Sequence, residues 1–269
     1  MTASYKTIYA MCHVPFLNLL KKLQASRSWL SGYFAELIKE EYQDRIQVTA
    51  IDPSEDAISK PKAKTAGNVD YRQATLADLN SEDQLYDVIL FTKSLHHVAS
   101  LEETLEKAHE LLQTNGICVV EEVDFDAIDE RSARWFMDRI DLLNVAKVSQ
   151  GHPEDETMAL LLDTSIDSFK RWNTFFERAM KHHHMNHGHN HAMFYFKEML
   201  DCMEKVFGEE RTKIHARVPF FYQFSIYIAN LDDSDVHKSI FKMLQAQEDI
   251  AIEKGWINAT GVIAVAEKI

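Results

Sequence analysis

The chain has 269 residues, 46% of them hydrophobic, and 42 acidic against 29 basic side chains give a formal net charge of −13. With no sustained Lys/Arg cluster, that balance excludes a phosphate-tracking nucleic-acid surface, and no stretch reaches the roughly 18 apolar residues that span a bilayer. Cys12, Cys118 and Cys202 are odd in number and lack metal-ligand spacing. The expectation is a reduced, cytoplasmic or nuclear protein of one large domain, residues 1–269, with room for one inserted layer.

Residues 15–24 place Phe16, Leu19, Leu20 and Leu23 on one face of a short amphipathic helix. Ser28 to Leu30 reads as a vestigial strand and Ser31 to Tyr42 as a helix, leaving Ser31 and Gly32 to turn between them. The run from Arg45 ends on Asp52, Pro53 and Ser54, an apolar alternating strand stopping on an acid. In parallel α/β sheets ligands sit outside the carboxyl ends of the strands, where an acid commonly takes ribose hydroxyls. The same Asp-Pro-Ser also suits a plain turn, with the acid serving only the backbone.

Val69 to Gln73 gives a third strand, and Tyr86 to Thr92, apolar on both faces, a fourth with both faces covered. Ser100 and Glu103 form a capping box, Asn115-Gly116 a helix stop, and Ile117 to Val123 a fifth strand. Residues 124–216 then form an inserted, aromatic-rich helical cap. Arg217 to Ile228 reads as a strand, 235–253 as a helix, and 261–268 as the last strand. The fold class that follows is a doubly wound, mostly parallel Rossmann-like sheet with an antiparallel edge and a helical cap.

The strand ending in Asp52, the segment VDYRQATLADL, the block YDVILFTKSLHHV, a helix ending in Asn-Gly, the strand ICVVEE and a closing strand pair together resemble class I S-adenosylmethionine-dependent methyltransferases of the small-molecule branch. The likeness covers 29–123 and 217–268, with 124–216 as the variable part. It implies that Asp52 accepts from both ribose hydroxyls, that Pro53 and Ser54 shape the adenosine pocket, that Thr75 and Leu76 line the adenine, and that Thr92 and Lys93 pass under the methionyl part. Two departures stand out. The family's glycine-rich first motif is reduced here to Gly32, and Thr75 replaces the aspartate often found beside the adenine.

His97, at the end of the fourth strand, is the candidate general base for transfer to a small-molecule acceptor bound under the cap. The shortened first motif supports an alternative, a degenerate relative without cofactor that acts as a binding or regulatory subunit toward a protein partner. The run KHHHMNHGHNH supplies a third reading. His183, His187 and His191 share a helical spacing that could hold a divalent metal, while Gly188 and the two asparagines favour a solvated loop.

Overall fold

The computed structural model describes residues 8–12, 47–55, 57–59, 69–82, 84–147, 156–186, 194–229, 231 and 234–269. Seven strands are found there: Ile8–Cys12 (β1), Val48–Asp52 (β2), Val69–Gln73 (β3), Tyr86–Thr92 (β4), Leu112–Val123 (β5), Thr212–Val218 (β6) and Gly261–Glu267 (β7). They form one sheet in the order β3-β2-β1-β4-β5-β7-β6. The pairs β2–β3 and β4–β5 are parallel. At the far edge the Asn115 N–H donates to Lys268 O and the Lys268 N–H to Gly116 O, so β7 runs antiparallel to β5. The α/β class and the antiparallel edge are as expected.

The central strand is a correction. The sequence reading put a stub at Ser28 to Leu30, which lies outside the described residues along with Gly32 and the helices expected at 15–24 and 31–42. The observed central strand is β1, antiparallel to both neighbours, with Tyr9 opposite Ile51 on one side and Phe91 on the other. Ile8 stands level with Thr92 and Cys12 with Val88. The chain therefore enters β1 at the edge where β2 and β4 end.

By contact, the chain divides into two units. The first comprises Met1–Glu122, Phe194–Ala216 and Val262–Ile269. Its core joins Ile51, Phe91, Leu95, Cys118 and Val120 from the sheet side to two helices, Leu101–Leu111 (α1) and Phe196–Phe207 (α5). α1 buries Leu101, Leu105, Ala108 and Leu111, and α5 buries Phe196, Met199, Met203 and Phe207, each one apolar stripe of a 3.6-residue period. Ser100 caps α1 by accepting the Glu103 N–H. Asn115-Gly116 is a second correction: it lies inside β5, with Asn115 at φ 63°, and a Cβ on Gly116 would sit 2.8 Å from Gln113 O. The pair makes an irregularity in the ladder, because α1 has already ended at Leu111.

The second unit comprises Val123–Met193 and Arg217–Gly261, where the expected cap ran from 124 to 216. It contains Glu130–Val145 (α2), Glu156–Leu161 (α3), Ser168–Asn186 (α4), Phe221–Ile228 (α6) and Asp235–Glu253 (α7). Phe136 stacks on Phe221 at 4.8 Å and meets Trp172 edge-on at 5.7 Å, and Arg171 grips Asp141 with two hydrogen bonds of 2.7 and 2.6 Å. The strand expected over 217–228 is instead the end of β6 followed by α6. The run PFFYQFSIYI is apolar all round, so periodicity could not separate strand from helix. A tertiary contact decides it: buried Glu248 on α7 accepts the N–H groups of Phe220, Phe221 and Tyr222 at 2.7 to 2.9 Å, capping a helix start.

Burial pushes the Glu248 carboxyl up to about 7, against the pull of those three N–H groups. The folded value lies above the ordinary 4.5, so this group's contribution to stability is complete below that pH and is lost as pH rises through about 7. Wild-type protein is expected to lose up to about 3 kcal/mol between roughly pH 5 and pH 8 relative to Glu248→Gln, whose amide does not titrate. Parallel melting curves across that window check this, and equal pH slopes for the two proteins refute it.

Candidate functional site

Four strands of the first unit bring their carboxyl ends to one edge. Asp52 on β2 stands in register with Gln73 on β3, and Thr92 on β4 with Glu121 on β5. Chemistry-bearing residues follow each strand at this edge.

After β2, Asp52 is 2% exposed, and its Oδ1 accepts the Ser54 N–H at 2.7 Å across a tight turn. The turn reading of this acid is thus seen directly, in an acceptor that stands at a parallel strand's end. Pro53 is exposed, and its carbonyl accepts from the Gln73 amide at 3.2 Å, tying the β2 turn to β3. After β3, Leu76 is buried and Thr75 exposed. The Thr75 N–H and hydroxyl both donate to one Asp78 oxygen at 2.7 Å. Those two bonds hold the Asp78 carboxyl below its usual range. The Thr75 oxygen is polarised by the carboxylate behind it, which strengthens it as an acceptor. Asp78 was missed by sequence reasoning, although Thr-x-x-Asp is a capping signature.

After β4 the backbone turns sharply. Lys93 has φ 50°, a left-handed conformation that costs a residue with a Cβ about 1–2 kcal/mol. Its N–H continues the ladder to Glu121 O at 2.7 Å, and its ammonium lies 3.6 Å from Glu121 Oε1. Burial pulls this amine down to about 8, with Glu121 and then Glu122 opposing the shift. Leu95–His97 follow as a single 3-10 turn, with Leu95 buried and both imidazoles half-buried. The two rings lie 3.9 Å apart, centroid to centroid. His96, beside the His97 that the sequence reading singled out, has its Nδ1 2.7 Å from Glu122 Oε2. Two acids closing an apolar strand, as in ICVVEE, were the signal that could have found Glu121 and Glu122.

The structure thus gathers Asp52, Pro53, Thr75, Leu76, Thr92, Lys93 and His97 onto the strand ends of one unit. Gly32, His187 and His191 lie outside the described residues, and His183 falls within α4. Among the described residues no group of three or more His, Cys, Asp or Glu side chains is disposed to hold a metal, and no helix is long and apolar enough to cross a membrane. Cys118 is fully buried, and burial alone pushes its thiol well up, which makes it a packing residue.

Residues 29–120 match the family model described as a methyltransferase domain. No curated protein matches the chain. Among solved structures, the plantazolicin methyltransferase BpumL, in complex with a pentazolic desmethylPZN analog and SAH, is 13% identical over 96% of this chain and 87% of its own, with a TM-score of 0.47. PKMT2 from Rickettsia typhi, in complex with AdoHcy, is 14% identical over 80% of this chain and 43% of its own, at a TM-score of 0.38. The YcgJ protein from Bacillus subtilis is 13% identical over 81% and 80%, at 0.39.

The Lys93 amine is expected to titrate near pH 8, and Glu121→Gln to drive it lower by removing the nearest opposing charge. Side-chain NMR titration of the lysines reads both values. A Lys93 amine titrating with the exposed lysines, or one indifferent to Glu121→Gln, contradicts this account.

Proposed function

We propose that this chain, which has the class I S-adenosylmethionine-dependent methyltransferase fold and matches a methyltransferase domain over residues 29–120, transfers a methyl group to a small-molecule acceptor. The observation that carries the reading is Asp52, a buried acid at the end of a parallel strand, in register with Gln73, which is followed on the next strand's end by the polarised Thr75 hydroxyl. These residues suit the nucleoside end of S-adenosylmethionine. Asp52 would take the ribose hydroxyls by charge-assisted hydrogen bonds, and Thr75 would accept from the exocyclic amine of the adenine. Leu76 offers an apolar wall, and Thr92 and Lys93 border the methionyl side. The bound cofactor supplies an electrophilic methyl on a sulfonium, and the protein's part is then mainly alignment of the acceptor.

A second reading, a fold that has lost the cofactor and serves as a binding or regulatory subunit, draws support from β1. A parallel first strand would leave the sheet at this edge and run into the family's glycine-rich turn, whereas here Ile8 enters at that level.

Thermal unfolding with S-adenosylhomocysteine separates the two. A ligand at a hundred times its dissociation constant stabilises the fold by about 2.7 kcal/mol, so methyl transfer requires a clear rise in Tm at millimolar concentration, and no rise selects the second reading. Asp52→Asn keeps an acceptor for Ser54 but removes the charge. It is expected to weaken binding about tenfold or more, since hydrogen bonds to charged groups contribute about 1.5–3 kcal/mol. Unchanged affinity would remove Asp52 from the site.

A further inference from the structure

Glu122 has no exposed side-chain surface, and each of its side-chain hydrogen bonds falls on the turn that follows β4. Its Oε1 accepts the backbone N–H groups of Leu95 at 3.0 Å and His96 at 3.3 Å, while Oε2 meets His96 Nδ1 at 2.7 Å. A carboxylate has no proton to give, so the hydrogen of the last bond belongs to the ring. Nδ1 then carries a proton, and in the neutral ring Nε2 keeps its lone pair.

We propose that Glu122 is a positioning residue that holds His96 in the Nδ1–H tautomer and thereby presents Nε2 as a proton acceptor at the joined ends of β4 and β5. Three observations converge on this. The carboxylate is buried against the turn, where a charge needs partners to be tolerated. Two backbone N–H groups fix its orientation, so the oxygen that faces the ring cannot exchange places without breaking both. The ring itself keeps 12% side-chain exposure, so it is not sealed off as the carboxylate is.

The use of this base rests on the methyl-transfer reading. It assigns the acceptor to the class that arrives as O–H or N–H and must lose that proton. As the acceptor's lone pair bonds to the methyl carbon, the carbon–sulfur bond breaks with its pair going to sulfur, and the acceptor's proton passes to His96 Nε2. An acceptor already ionised at neutral pH would not need the pair.

The same geometry makes Glu122→Gln a sharp test. The amide oxygen must occupy the Oε1 position, because only an oxygen can accept from Leu95 and His96. The amide NH2 then faces Nδ1 and donates to it, forcing the proton onto Nε2. In nitrogen-15 NMR of the imidazoles of the ligand-free full chain, with His96 assigned by its loss in His96→Gln, the wild type is expected to show His96 as Nδ1–H and Glu122→Gln to show it as Nε2–H. A wild-type ring protonated at Nε2, or at both nitrogens at neutral pH, overturns the proposal, as does an unmoved tautomer in a folded Glu122→Gln. Should that variant not fold, the wild-type spectrum decides alone. In turnover, Glu122→Gln and His96→Gln are each expected to lower kcat by about 10²- to 10⁴-fold, the span that general-base catalysis contributes. Equal rates would overturn the assignment. Absence of turnover in the wild type would count against methyl transfer only, because the tautomer is read without cofactor.

Discussion

The sheet depends on the hydrogen bonds of one five-residue strand. The parallel pairs β2–β3 and β4–β5 have no ladder between them except through β1, which pairs with β2 on one side and β4 on the other. Backbone groups buried at the centre of a sheet must be paired, so some segment has to fill that slot. An antiparallel segment satisfies the ladders on both sides. Its direction nevertheless has a chemical consequence, because strand direction decides which end of the slot carries the following turn. With Ile8 level with Thr92 and Cys12 with Val88, β1 ends toward the opposite edge from Asp52, Thr75 and His96.

Two buried glutamates solve the same local problem in different ways. Glu248 gives one oxygen to Phe220 and Phe221 and the other to Tyr222, so that all three of these hydrogen bonds go to the start of α6. Glu122 likewise gives one oxygen to two successive N–H groups, at Leu95 and His96, but turns the second toward an imidazole. The first arrangement is complete as structure. The second couples a helical turn to a titratable ring, and that difference in the second oxygen is the physical ground for treating Glu122 as part of a site and Glu248 as part of a core.

The parts of the fold legible in the sequence were those in which local pattern and burial agree. β2, β3 and β4 start from alternating or doubly apolar runs, and α1 shows both its cap at Ser100 and its stripe through Leu111. α6 was illegible because its all-apolar run has no face, and the residue that decides its state, Glu248, lies on another helix. Asn115-Gly116 was read as a helix stop because left-handed residues serve helix ends and strand irregularities equally well. β1 escaped because a five-residue apolar run near the chain's start carries no signal of its partners. At the site, Asp52 and Thr75 could be read from their positions after strands. Which of His96 and His97 meets Glu122 could not, since neighbours in sequence are distinguished only by where a turn directs them, and Glu122 lies 26 residues away.

The strand-end edge therefore has two parts of different origin. The side proposed for the nucleoside is made by β2 and β3, where Asp52 accepts from Ser54, Gln73 donates to Pro53 and Thr75 donates to Asp78, none of these bonds involving β1. The side proposed to accept a proton is made by β4 and β5, with Glu121 beside Lys93 and Glu122 beside His96, also without β1. Each is a parallel pair whose register places its polar residues at one level. What lies between them is the antiparallel strand, through which the two pairs are joined. The side-chain contacts within each pair do not run through β1, which is why the nucleoside contact proposed for Asp52 and the tautomer proposed for His96 can each be examined without the other.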